Sequence, residues 1–260
     1  MRVPVLEHGT RRRRERRRRA LWSGGELLVT VGLVLLLLVV HQLWWTNREA
    51  REGAQRKVEA LEREWAEGGG ADSDTAVPSM SPSTPPSSVQ GSGERGARTA
   101  AQDLTVPTPD PSRSYAILSI PRLHLRVPVA EGVGKQSVLN KGYVGHYPGT
   151  GQPGRAGNFA LAGHRNTHGE PFRYINRLAP EDTVQVETRN AVYTYAVDKT
   201  LRQTSARDTG VIRAVPRSTL HPDYGYTSPG YYITLTTCTP EYTSRYRLVV
   251  WGRLVSMRPR

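Results

Sequence analysis

Apolar residues fall into three textures along this chain. The first is an almost unbroken run from Leu27 to about Trp45, preceded by an arginine block at 11–14 and 16–19 split by Glu15. A helix rises ~1.5 Å per residue and a bilayer's hydrocarbon core is ~30 Å thick, so this run just spans it. His41 and Gln42 lie near one end, and Trp22 and the pair Trp44, Trp45 fall where interfacial aromatics belong. No small-x-small cleavage signal follows, so the run reads as a retained anchor over 26–46 rather than a signal peptide. The positive-inside rule keeps the basic segment 1–25 in the cytoplasm and places the remainder outside the plasma membrane.

The second texture is polar. Residues 47–67 mix Glu, Arg, Lys and Ala around Val58, Leu61 and Trp65, which suggests a short charged helix leaving the membrane or a solvated stalk. Residues 68–113 are mostly Ser, Pro, Gly and Thr, the composition of a disordered tether. The third texture begins at Ser114, where short alternations of apolar and polar residues are separated by Gly and Pro. It predicts strands over 115–120, 158–162, 183–187, 191–197, 232–237 and 246–255. Only 136–141 and 171–178 look helical. The domain over 114–256 is therefore mainly β, a barrel or a sandwich.

Charge changes this picture little. A net +13, carried almost wholly by arginine, predicts attraction to an anionic partner: nucleic acid, phospholipid or a wall polymer. The arginine block abuts a membrane span, which favours topology and lipid contact over a nucleic-acid arm. The cysteine count changes it more. One cysteine, Cys238, excludes an intrachain disulfide and a cysteine-rich metal site, and leaves a free thiol in an exported domain. A buried core cysteine is the plain alternative.

Cys238 ends the predicted strand Thr234-Leu235-Thr236-Thr237-Cys238, and Thr239-Pro240 then turns the chain. Arg247 stands nine residues on, at the start of the next strand. Antiparallel pairing across a short connection would bring its cation near the sulfur, favouring a thiolate or an oxyanion. His164 follows the apolar strand Phe159-Ala160-Leu161-Ala162. A cysteine and a histidine are the minimum set for acyl transfer with an internal acid and base.

These residues carry a resemblance. Thr234-Leu235-Thr236-Thr237-Cys238 resembles the Thr-Leu-x-Thr-Cys signature of sortases, Arg247 falls where that family has its arginine, and Leu161-Ala162-Gly163-His164-Arg165 is similar to its histidine strand end. Ile120-Pro121-Arg122-Leu123, Val127-Pro128-Val129 and His146-Tyr147-Pro148-Gly149-Thr150 resemble the actinobacterial class E enzymes. The resemblance implies a closed eight-stranded β-barrel with short helices, and catalysis by His164, Cys238 and Arg247. Cys238 would attack between Thr and Gly of a Leu-Ala/Pro-x-Thr-Gly sorting signal in secreted proteins. The acyl group would pass to an amine of a lipid-linked peptidoglycan precursor, with no cofactor or metal. Class E resemblance favours alanine at the motif's second position.

Pilin-polymerising relatives carry an Asp-Pro-aromatic lid, whereas here Asp110-Pro111 precedes Ser112, which favours a housekeeping anchoring enzyme. The alternatives are a pilin polymerase or a non-enzymatic wall-binding module, and the module leaves the three residues unexplained. An L,D-transpeptidase would place histidine beside the cysteine. Of the other histidines, His124, His146 and His221 read as local hydrogen-bonding or surface groups. His168 could suggest zinc beside His164, but Gly169 and Pro171 break the helix that such spacing needs. Tyr224, Tyr226, Tyr231 and Tyr232 either line a peptide groove or pack a loop. Thr236 and Thr237 are the candidate substrate-binding residues, one facing the rim and one the interior.

Overall fold

The structure is a computed structural model that describes residues 8–68 and 113–260. The expected tether, apart from its end residues, and the Asp110-Pro111-Ser112 segment lie outside the described residues.

The anchor and the charged segment form one helix, α1 (His8–Gly68). Its apolar part, including Leu28, Leu35, Val39 and Leu43, is exposed all round, as a helix solvated by lipid would be. Beyond Thr46 the pattern narrows to one face. Ala50, Ala54, Val58, Leu61 and Trp65, spaced four, four, three and four apart, are buried. Helical periodicity puts them on one stripe, and Val58, Leu61 and Trp65 pack on Ile117 of the barrel. The segment is thus no solvated stalk.

Eight strands close the barrel: β1 (Ser114–Ile120), β2 (Leu125–Glu131), β3 (Val144–His146), β4 (Gly157–Ala162), β5 (Thr183–Thr188), β6 (Ala191–Ser205), β7 (Tyr231–Thr239) and β8 (Tyr246–Pro259). Their order is β1-β2-β3-β4-β7-β8-β6-β5, with β5 returning to β1. The pairs β2–β3 and β4–β7 are parallel and the rest antiparallel. Inward residues, including Leu118, Val129, Phe159, Leu161, Val186, Ile233, Leu235, Leu248 and Val250, fill the interior as one cluster.

The predicted helical stretches shrink to 3₁₀ turns at Leu139–Lys141 and Ile175–Arg177. The alternation also missed β2 and β3. Pro128 sits inside β2, opposite Ile117. β3 pairs only with residues 129–131, so Pro128 lies in the part of β2 that β3 does not reach, where a missing donor breaks no ladder. α1 packs beside this same strand, with Arg126 2.6 Å from Glu62.

Outward residues of β7 and β8 form a second cluster. Tyr232, Val249 and Trp251 pack with Leu201, Val211 and Tyr226, under the connection between β6 and β7. Asp208 pins that connection by accepting from Thr204 Oγ1, Ser218 Oγ and both the amide and hydroxyl of Thr219. The cover ends near Thr236, so the next outward position on β7, Cys238, is half-buried at the rim.

Candidate active site

Strand register assembles the site. Cys238 and Arg247 are direct cross-strand partners in the β7–β8 ladder, so both side chains project from the outer face at one level. On the other side of β7, Ala162 pairs with Thr236, and Gly163 N donates to Thr236 O at 3.2 Å. Continued by two residues, that register sets His164 level with Cys238. The three residues picked from sequence thus stand on three neighbouring strand ends.

The two threonines take different faces. Thr237 turns inward and donates to Gly163 O at 2.8 Å, tying β7 to the backbone just before His164. Thr236 shares the outward face with Cys238. Its hydroxyl bonds Leu161 O and lies 3.1 Å from the Tyr147 hydroxyl. Both are buried.

His164 is half-buried, and its Nε2 lies 2.9 Å from Asn140 Oδ1. With that oxygen as acceptor, Nε2 carries the proton and the Nδ1 lone pair remains available. The ring stacks on His168 at 5.2 Å. Burial, then the neighbouring His168 and Lys135, push the imidazole down to about 4, so it is neutral at neutral pH. Arg247 Nη1 donates to Ser244 O and Tyr246 O, which folds the guanidinium over the connection between β7 and β8.

Three site residues escaped sequence reasoning. Arg165, 7% exposed, donates to Cys238 O at 3.2 Å and Thr239 Oγ1 at 2.9 Å, holding the backbone at Cys238. Asn140 sets the His164 tautomer, and Tyr147 braces Thr236. Arg165 adjoins the histidine motif and was legible as a neighbour, but nothing in the sequence marks Asn140 or Tyr147. Elsewhere, His146 is buried and hydrogen-bonded, as a local structural histidine is. Tyr226 and Tyr232 stack at 4.0 Å under the β6–β7 connection, while Tyr224 and Tyr231 are exposed.

Over residues 118–255 the chain matches the Sortase domain family. It is 42% identical over 225 residues to Sortase SrtE1 of Streptomyces coelicolor, covering 85% of this chain and 53% of that protein. The chain thus spans about half the length of that relative. Sortase SrtE2 of the same organism is 34% identical over 223 residues, covering 83% of this chain and 74% of its own length. The crystal structure of Sortase E1 from Streptomyces coelicolor with a tripeptide in the active site superimposes with a TM-score of 0.55 at 49% identity, over 58% of this chain and 94% of that one.

Proposed function

This chain belongs to the sortase family, and we propose that it is a membrane-anchored cysteine transpeptidase that cuts a Leu-Ala-x-Thr-Gly or Leu-Pro-x-Thr-Gly sorting signal between Thr and Gly. The acyl group then passes to an amine of a lipid-linked cell-wall precursor, which anchors secreted proteins to the wall. One observation supports the reading: Cys238 and Arg247 face one another across the β7–β8 ladder, and β4, parallel to β7 as far as Ala162 opposite Thr236, leads into His164.

In the first half-reaction the Cys238 sulfur bonds the threonine carbonyl carbon, and the thiol proton passes to the neutral imidazole of His164. That imidazole returns the proton to the glycine nitrogen as the C–N bond breaks, leaving a thioester. In the second, the incoming amine attacks the thioester, His164 takes its proton, and the sulfur leaves to be reprotonated. Nδ1 is the working nitrogen, because Nε2 is committed to Asn140. Arg247 offers its remaining guanidinium donors to the carbonyl oxygen as charge develops there. Arg165 is a positioning residue that keeps the Cys238 carbonyl, and so the thiol, at its height on the rim. Thr236 lies beneath the bound motif on the Cys238 face.

The basic segment at 11–19 places the N-terminus in the cytoplasm and the barrel outside the plasma membrane. Cleavage of quenched fluorescent Leu-Ala-x-Thr-Gly and Leu-Pro-x-Thr-Gly peptides tests the assignment. The native protein cuts between Thr and Gly, prefers alanine, and joins the acyl fragment to an added amine, while Cys238→Ala does none of this. A native protein inert on both peptides, or one whose Cys238→Ala form still cuts, contradicts it.

A further inference from the structure

α1 does more than tether the barrel. Two residues beyond Trp45 its surface meets the 163–171 loop that begins with His164. Asn47 Nδ2 donates to Glu170 Oε1 at 3.0 Å, and Gly169 N donates to Asn47 Oδ1 at 3.3 Å. One turn on, Arg51 donates to Glu170 Oε2 at 2.8 Å and to Gly169 O at 3.1 Å. Glu170 is buried and also takes Arg173, whose Nη2 reaches the Tyr242 hydroxyl at 3.2 Å in the connection beyond Cys238. Gly142, two residues past Asn140, sits so close to α1 that a Cβ there would lie 2.7 Å from Ala50 O, and its φ is +79°. Asn47 and Arg51 therefore meet the loops around Cys238. The far end of the helix meets the opposite end of the barrel, where Arg260, past the end of β8, stacks over Trp65 at 4.7 Å.

We infer that the rim carrying Cys238 is the membrane-facing end of the barrel, held against the lipid head groups by a latch of Asn47, Arg51 and Glu170. The inference rests on α1 being embedded in a bilayer. At ~1.5 Å per residue, Asn47 and Arg51 stand only ~3 and ~9 Å above the level of Trp45. The side chains at that level suit a head-group layer: Trp44, Arg48 and Arg245 are exposed, and Tyr242 is 75% exposed. The opposite orientation would require α1 to reverse against the barrel and break every contact of the latch.

Depth-dependent fluorescence quenching tests this without any turnover, so its failure is distinguishable from failure of the transpeptidase reading. The full chain, carrying Cys238→Ala and a single bimane-labelled cysteine from Tyr242→Cys or Ser256→Cys, is placed in nanodiscs of phosphatidylcholine and phosphatidylglycerol. The discs contain a lipid spin-labelled at the head group. Quenching is expected at position 242 and not at 256, and Asn47→Ala with Arg51→Ala should abolish the difference. Equal quenching, or stronger quenching at 256, overturns the orientation. An unchanged difference in the double variant overturns the latch, and failure to enter the discs overturns the anchor on which both depend.

Discussion

His146 ends β3 and His164 follows β4, its antiparallel neighbour, yet the two rings are held in unlike ways. His146 is 1% exposed, and both nitrogens are committed: Nδ1 lies 2.7 Å from Glu131 Oε2 and 2.9 Å from the Tyr115 hydroxyl, and Nε2 lies 2.9 Å from Thr150 Oγ1 and 3.1 Å from Gly151 O. Burial, with Glu131 beside it, pushes the Tyr115 hydroxyl well up, so that hydroxyl keeps its proton in the network. Among the described residues the His164 ring has one hydrogen bond, to Asn140, a stacked neighbour and a half-exposed position. A ring with every site occupied holds strands together, whereas a ring with a vacant lone pair on a half-exposed rim can move a proton. Sequence analysis set His164 at a strand end and read His146 as a local hydrogen-bonding or surface group, and the partners of the two rings differ accordingly.

Replacing each ring separates the roles most sharply. His164→Ala is expected to lower kcat for peptide cleavage by about 10²–10⁴-fold with little change in thermal stability, the usual size of an acid–base contribution. His146→Ala should instead strand Glu131 and Tyr115 and cost roughly 2–5 kcal/mol in urea unfolding. If His146→Ala unfolds normally and loses turnover, the assignment is reversed. A smaller effect falls on the tautomer. Asn140→Ala removes one orienting hydrogen bond of about 1.4 kcal/mol, so kcat should drop roughly tenfold at unchanged KM. Nitrogen chemical shifts of His164 should then show Nε2–H giving way to a tautomer mixture.

The smallest effect is in the acid response. The folded-state value of His164 is depressed to about 4 from an ordinary 6.5, so the unfolded chain binds the extra proton first. The stability associated with this ring is complete above about 6.5 and lost as pH falls toward 4. His168→Ala removes the second cause of the depression, so the His164 titration followed by NMR should move upward and the window should narrow. A downward move would mean that His168 supports the charged form.

How far sequence reaches depends on how local the signal is. β6, β7 and β8 are long, alternating and rich in β-branched and aromatic residues, so their type was legible. β2 and β3 were not, because one contains Pro128 and the other has only three residues. The buried stripe at 50, 54, 58, 61 and 65 has helical spacing, but two members are alanine and charges crowd between them, so its docking was hidden. Within the site, Cys238 and Arg247 face one another across a short connection and could be paired by counting. The parallel neighbour that brings in His164 comes from 74 residues upstream, as the separation of Gly163 and Thr237 shows. Asn140 and Tyr147 make their contacts from positions that no spacing announces.

Intact-mass analysis of the full chain mixed with a Leu-Ala-x-Thr-Gly peptide is the decisive test of acyl transfer through Cys238. A single acyl adduct ending in threonine is expected, mapped to Cys238, discharged by an added amine, and absent from Cys238→Ala and His164→Ala. An adduct that survives Cys238→Ala, or peptide cleavage that proceeds without an adduct on Cys238, would contradict it.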